Sequence, residues 1–322
     1  MKLDYFQICQ SLLKDLPQRQ REILTRRFGL KDGRRETLEF IGDDYGITRE
    51  RVRQIEKEGL FEVKPKAKQY QQVFQHFKST INRAGGLKEE EALLEELGGE
   101  NQKSQVYFLL NLRDDFEKIG ETEELHPIWT IDKKFLTLAQ KTINSFYNKL
   151  KKAQRPLSPK TFNSSLPQIA LNSYLEVSKK IQKNPEGLFG LAEWPEINPR
   201  GVKDKAYLAF KKENRPLHFT EVAGLIPNGL VQTVHNELIK DPRFVLVGRG
   251  TYALKEWGYQ SGSVKDVIFS VLQEEKKPLA KEKLLGKVLK QRMVKKNTIL
   301  LNLSNKKYFL KDSQGKYTIK EI

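Results

Sequence analysis

The chain has 322 residues and a mass of 37.4 kDa, and with 38% hydrophobic and 10% aromatic residues it can fill several cores, which excludes a disordered polyelectrolyte. Lys and Arg number 58 against 41 Asp and Glu, and the resulting +17, with a pI of about 9.6, favours polyanionic partners. Cys9 is the single cysteine, the four histidines have no zinc-ligand spacing, and no run approaches the ~18 apolar residues of a membrane span. These features predict a cytoplasmic protein without a disulfide, cofactor, metal or membrane partner.

The first predicted elements lie within residues 5–62. LPQRQREILTRRFGL starts a helix at Leu16-Pro17, spaces Ile23, Leu24 and Phe28 helically and stops at Gly29. After the turn KDGRRE, Thr37 caps a second helix carrying Leu38 and Ile41. Tyr45-Gly46-Ile47 then breaks the chain before Thr48 caps a third helix, which makes a helix-turn-helix.

That third helix has two faces. At 100° per residue, Val52, Ile55, Gly59 and Leu60 fall on one side, and Glu50, Arg53, Gln54 and Lys57 on the other. Arg49 lies in the first turn, the part of such a helix that leads into a major groove. Arginine can grip guanine O6 and N7, glutamine can bracket adenine N6 and N7, and glutamate can accept from cytosine N4. Thr48, Arg49, Glu50, Arg51, Arg53, Gln54 and Lys57 are therefore candidate DNA contacts, with Arg51 and Arg53 expected on phosphates. The alternative is an ordinary solvated helix face, which the like-charged Arg49–Arg53 spacing does not favour.

The stretch LPQRQREILTRRFGLKDGRRETLEFIGDDYGITRERVRQIEKEGL resembles region 4 of the sigma-70 family, the part of bacterial RNA polymerase sigma factors that reads the −35 promoter hexamer. Carried over residue by residue, the family's base-contacting Arg, Glu and Gln fall on Arg49, Glu50 and Gln54. Phe40 stands where the family usually has Glu, and Glu58 where Lys is common. Nothing in the chain resembles the family's regions 2 or 3.

Further along, the basic run KPKAKQ reads as a linker over 65–80, and the text beyond it repeats. KKAQRPL (151–157), KKENRPL (211–217) and QEEKKPL (273–279) share a helix end, a basic residue and Pro-Leu. The last two agree over a longer window at a constant offset of 62 residues, the signature of tandem modules. Units close on hairpin-like text, FVLVGRGTYAL at 244–254 and YFLKDSQGKYTI at 308–319. Three helices followed by a hairpin predict winged helices, and terminal strands do not suit the alternative of a helical solenoid.

The fold class expected is mainly α with small β wings: an N-terminal helix-turn-helix domain followed by tandem winged-helix domains. The expected boundaries are 1–64, a linker at 65–80, then 81–132, 135–200, 201–259 and 262–322. Residues 217–259 resemble a HARE-type winged helix, as in the delta subunit of Gram-positive RNA polymerase and in chromatin and restriction-system proteins. The resemblance weakens through 264–319, 145–198 and 81–132.

Within these modules Gln232, His235 and Asn236 are expected on the polar face of a third helix, and Arg249 at a wing tip between two glycines. Lys295 and Lys296 open the last module's third helix within a segment, 263–322, of charge +9. Charge is uneven: residues 1–64 carry +2, 65–84 carry +4, 85–125 carry −8 and 126–322 carry +19. Glu89, Glu90, Glu91, Glu95 and Glu96 predict a continuous negative face on the acidic module. Paired acids such as Asp43-Asp44 and Asp114-Asp115 lack an organised nuclease-type lysine, and no phosphate loop or nucleophile motif occurs, so no enzyme is expected.

The leading expectation is thus a sequence-specific, double-stranded DNA-binding bacterial transcription factor, located in the cytoplasm with the nucleoid. Two alternatives stand beside it: an accessory factor that docks on the RNA polymerase core, and the recognition subunit of a DNA-modification or restriction system.

Overall fold

The computed structural model describes residues 4–320. The chain divides into two compact units, residues 1–193 and 194–322. The first begins with helices α1 (Tyr5–Leu13), α2 (Gln18–Phe28), α3 (Leu38–Tyr45) and α4 (Arg49–Ala67). Their ends follow the local chemistry of the sequence. Thr37 Oγ1 accepts from Phe40 N at 3.1 Å and Thr48 Oγ1 from Arg51 N at 3.2 Å, while Gly29 and Gly46 close α2 and α3 in the left-handed region. Ile23, Ile41, Val52 and Ile55 form a small core between α2, α3 and α4.

Residues 65–80 are not a linker. α4 runs on through Pro65 to Ala67, a 3-10 turn covers Lys68–Tyr70, and α5 (Gln71–Arg83) follows. The reason is burial: Val63, Ala67, Val73, Phe74 and Phe77 continue the apolar stripe and are all within 4% of complete burial. Pro65 removes the donor that would meet the carbonyl of Phe61, an exposed residue whose carbonyl water can serve.

After α5 come β1 (Leu87–Glu89), α6 (Glu90–Gly98), α7 (Lys103–Leu110), β2 (Glu117–Ile119) and β3 (Ile128–Thr130), with the sheet ordered β1-β3-β2. This copy shares its core with the helix-turn-helix segment. Leu12, Leu24, Phe28, Phe77, Leu94, Phe108 and Trp129 belong to one cluster. At its edge Arg35 stacks over Tyr107 at 4.0 Å and pairs with Glu90 at 3.5 Å, and Lys118 reaches both as well.

The second copy holds α8 (Lys134–Ala153), α9 (Gln168–Glu176), β4 (Ile181–Lys183) and β5 (Phe189–Leu191). It is locked to the first, because Tyr174 donates from its hydroxyl to Gly85 O at 2.7 Å and Phe135 fills the space a Cβ at Gly86 would need.

The C-terminal unit repeats one order twice. Its first half is α10 (Gly201–Glu213), β6 (Leu217–His218), α11 (Phe219–Leu225), α12 (Val231–Lys240), β7 (Phe244–Gly248) and β8 (Thr251–Leu254). Its second half is α13 (Val264–Glu275), β9 (Leu279–Ala280), α14 (Lys281–Gln291), α15 (Lys296–Leu303), β10 (Phe309–Lys311) and β11 (Lys316–Ile319). Both sheets, and that of the first copy, place the last strand between the other two.

The repeated sequence motif has a structural cause. Gln154, Asn214 and Lys276 close the first helix of their copies with φ of 51°, 48° and 52°, and the Pro-Leu that follows delivers Leu157, Leu217 and Leu279 to the hairpin. Gly85 and Gly86 do the same before Leu87 in the first copy. Among the described residues no helix is long and apolar enough to cross a membrane.

Candidate nucleic-acid interface

The turn before α4 fixes how the helix stands. Ile47 N donates to Gly42 O at 2.9 Å, and a Cβ on Gly42 would lie 2.6 Å from Ile47 O, so only glycine lets α3 approach this closely. Val52, Ile55 and Gly59 are buried beneath, while Arg49, Glu50, Arg51, Arg53, Gln54 and Lys57 are exposed together on the outside with Thr48 at the cap. The structure brings all seven expected residues onto the first three turns of one helix.

Their electrostatics differ from a row of free cations. Arg53 grips Glu50 through two bonds, at 2.6 and 2.9 Å, and Arg51 donates to Gln54 Oε1 at 3.1 Å. Arg49 lies 3.9 Å from Glu39 of α3. The bond from Arg53 holds the Glu50 carboxyl below its usual range and raises the guanidinium in turn. Two of the three expected base readers are therefore held by arginines of their own helix. Solvent-screened pairs of this kind contribute little, so a better-matched partner can replace them. Lys57 has no ion-pair partner among the described residues.

Phe40 is 56% exposed and lies 5.8 Å from the Arg26 guanidinium, which is itself fixed by Glu36 at 2.6 Å and Asp44 at 2.5 Å. Glu58 sits 3.9 Å from Arg51. Phe61, which the sequence reading did not single out, is 78% exposed and lines an open groove of 640 Å³ with Arg53, Gln54, Lys57 and Lys64. Its signal was an aromatic on the polar side of the helical wheel.

The expected contacts in the C-terminal unit fare unequally. Gln232 and Asn236 are exposed on α12 and meet each other at 3.4 Å. His235 departs from expectation: it is half-buried, stacked on Phe219 at 4.3 Å and edge-on to Tyr252 at 6.0 Å. Aromatic burial outcompetes its polar nitrogens. Arg249 is exposed at the β7–β8 tip, and Lys295 and Lys296 are exposed at the start of α15; none has a side-chain partner among the described residues.

The acidic module has no continuous negative face. Glu90 is 8% exposed, accepts from Trp129 Nε1 at 3.0 Å and pairs with Lys118 at 2.7 Å. Glu89 caps α6, Glu91 and Glu95 hold Lys103, and Glu96 holds Arg83 and Lys88. Even the acidic turn is met within the unit, Glu121 by Lys179 and Glu124 by Lys180, each at 2.5 Å. Burial of the stem carbons and short lysine reach neutralise what the linear charge count left bare. Asp44 and Asp114 are likewise ion-paired, with Arg26 and Lys64.

The arrangement of α3, the Gly46 turn and α4 defines a helix-turn-helix with a polar, arginine-rich outer face. Residues 12–64 match the family model of Sigma-70, region 4, and this segment is a sigma-70 region 4 domain. Over 57 residues the chain is 47% identical to the RNA polymerase principal sigma factor HrdD of Streptomyces viridifaciens, covering 18% of this chain and 17% of that protein. Over 51 residues it is 49% identical to RNA polymerase sigma factor SigA of a Bacillus species (16% of this chain, 14% of that one) and of Synechocystis (16% and 12%). The chain thus spans less than a fifth of the length of these relatives, and residues beyond 64 lie outside the family match.

Proposed function

We propose that the protein is a sequence-specific, double-stranded DNA-binding transcription factor that reads a short −35-like site through α4. The observation that carries this reading is the exposed set Arg49, Glu50, Arg53 and Gln54 on a helix whose opposite side is buried in the domain core. On a duplex, the pairs Arg53–Glu50 and Arg51–Gln54 open and their members turn to base edges and phosphates. The four downstream copies act as winged helices, HARE-like in 201–259, and Arg249, Lys295 and Lys296 add phosphate contacts. Gln232 and Asn236 remain candidate contacts, and His235 acts by positioning the helix.

A second reading, an accessory factor docking on the RNA polymerase core, is favoured by one observation. At and along α12, Leu230 is 71% exposed, Val231 45% and Ile239 62%, apolar side chains that suit a protein partner more than phosphates. Selection of bound sequences from random DNA, run beside a pull-down against core polymerase, separates the two. An enriched motif without polymerase retention supports the DNA-reading factor. Retention without a motif overturns it in favour of the accessory factor.

A further inference from the structure

The two halves of the C-terminal unit meet at a joint on the edge of β7. Met293 N donates to Val247 O at 3.0 Å, the Arg292 guanidinium donates to Leu246 O, and a Cβ on Gly248 would lie 3.3 Å from Met293 O. The Arg292 side chain thus reaches residue 246, and Met293 lies by 247 and 248. Two residues beyond Val247 and Met293, each stretch carries a cation, Arg249 and Lys295. The joint cannot swing freely. The outer residues of the hairpin, Val245, Val247 and Ala253, are buried with Trp257 and Tyr259 against them, and Arg292 is only 9% exposed. Burying a guanidinium is costly unless it is bonded, and the bond Arg292 makes crosses this joint.

Some cations of this unit are held by acids. Arg243 is held by Asp204 and Asp241, and Lys211 by Glu256. Arg249, Lys295 and Lys296 have no such partner among the described residues, and the first turn of α15 contains no acid. Beside Arg249, Gly250, at φ 66°, passes so close to His218 that a Cβ would lie 2.4 Å from its Nε2, so the turn requires glycine there. Unpaired cations contributed by two stretches of chain, in a unit of net charge +12, suit a run of phosphates.

We infer that the two halves of the C-terminal unit present one shared phosphate-binding surface, Arg249 with Lys295 and Lys296, to the backbone of a nucleic-acid duplex. This rests on the DNA-binding reading above and narrows it, since independent winged helices would each bring a separate surface. Arg292 is the positioning residue of the joint.

The full chain is titrated against random-sequence duplexes of about one and about three helical turns, at several salt concentrations, by fluorescence anisotropy. On the one-turn duplex, Arg249→Gln should weaken binding several-fold and reduce the slope of log affinity against log salt by about 0.9, and Lys295→Gln/Lys296→Gln by about twice that. Arg249→Lys should restore the slope. Arg292→Met, which removes the side-chain bond to Leu246 O and leaves the backbone bond from Met293 N, should also weaken binding to the short duplex. Effects confined to the three-turn duplex, or unchanged slopes in a chain that still binds DNA, would overturn the shared surface alone. A wild-type chain with no duplex affinity would overturn it together with the DNA-binding reading. Arg249 lies at an exposed loop tip, so its variant tests the surface even where Arg292→Met misfolds.

Discussion

Glu56 shows how a single side chain can sit on the wrong side of its own helix's electrostatics. Burial raises its carboxyl above the usual range, and Arg27 at 3.6 Å only partly offsets that. Because the folded-state pKa is raised, the carboxylate costs nothing below its unfolded value near 4.3, and the cost grows as pH climbs from there through the folded value. Glu56→Gln should therefore raise the melting temperature at pH 7 and leave it unchanged near pH 4. A lower melting temperature at pH 7 would show that the Arg27 pair outweighs burial. His235 makes the complementary point about what the sequence conceals. Its position on α12 was legible from helical spacing, but its stacking on Phe219 depends on α11 arriving beside it, which no local pattern records.

At the scale of elements, the caps and stops were legible because each is a local event: Thr37, Thr48, Gly29 and Gly46 act within four residues of themselves. The continuation of α4 through Pro65 was not, since lysines and a proline in a row have the composition of a linker. What overrides composition is tertiary burial of Val63, Ala67, Val73 and Phe77 against α1 and the acidic copy. The same burial hides the acidic face, whose carboxylates find lysines and arginines distant in sequence, such as Arg35 and Lys118 at Glu90. A fragment ending at Lys64 loses most of that shared core. It should show weak, non-cooperative thermal unfolding by circular dichroism, whereas residues 1–193 should unfold in a single cooperative step. A cooperative, stable 1–64 fragment would mean the shared core is dispensable.

The whole molecule separates a nearly balanced N-terminal unit, net +5, from a C-terminal unit of net +12. Its Glu and Asp side chains in the first unit are largely consumed by internal pairs, so the surplus of the second dominates long-range attraction to a polyanion. Removing residues 194–322 should flatten the salt dependence of DNA binding while leaving any preferred motif unchanged, measured by anisotropy over a salt series. An unchanged slope would place the phosphate contacts elsewhere.

The claim that α4 reads bases is tested most directly by comparing Arg49→Ala and Gln54→Ala on the selected site and on a scrambled duplex of equal length. Each substitution is expected to cost about 1–3 kcal/mol on the selected site and little on the scrambled one, because a bidentate base contact is lost and phosphate attraction is kept. Equal losses on both duplexes would contradict base reading by this helix.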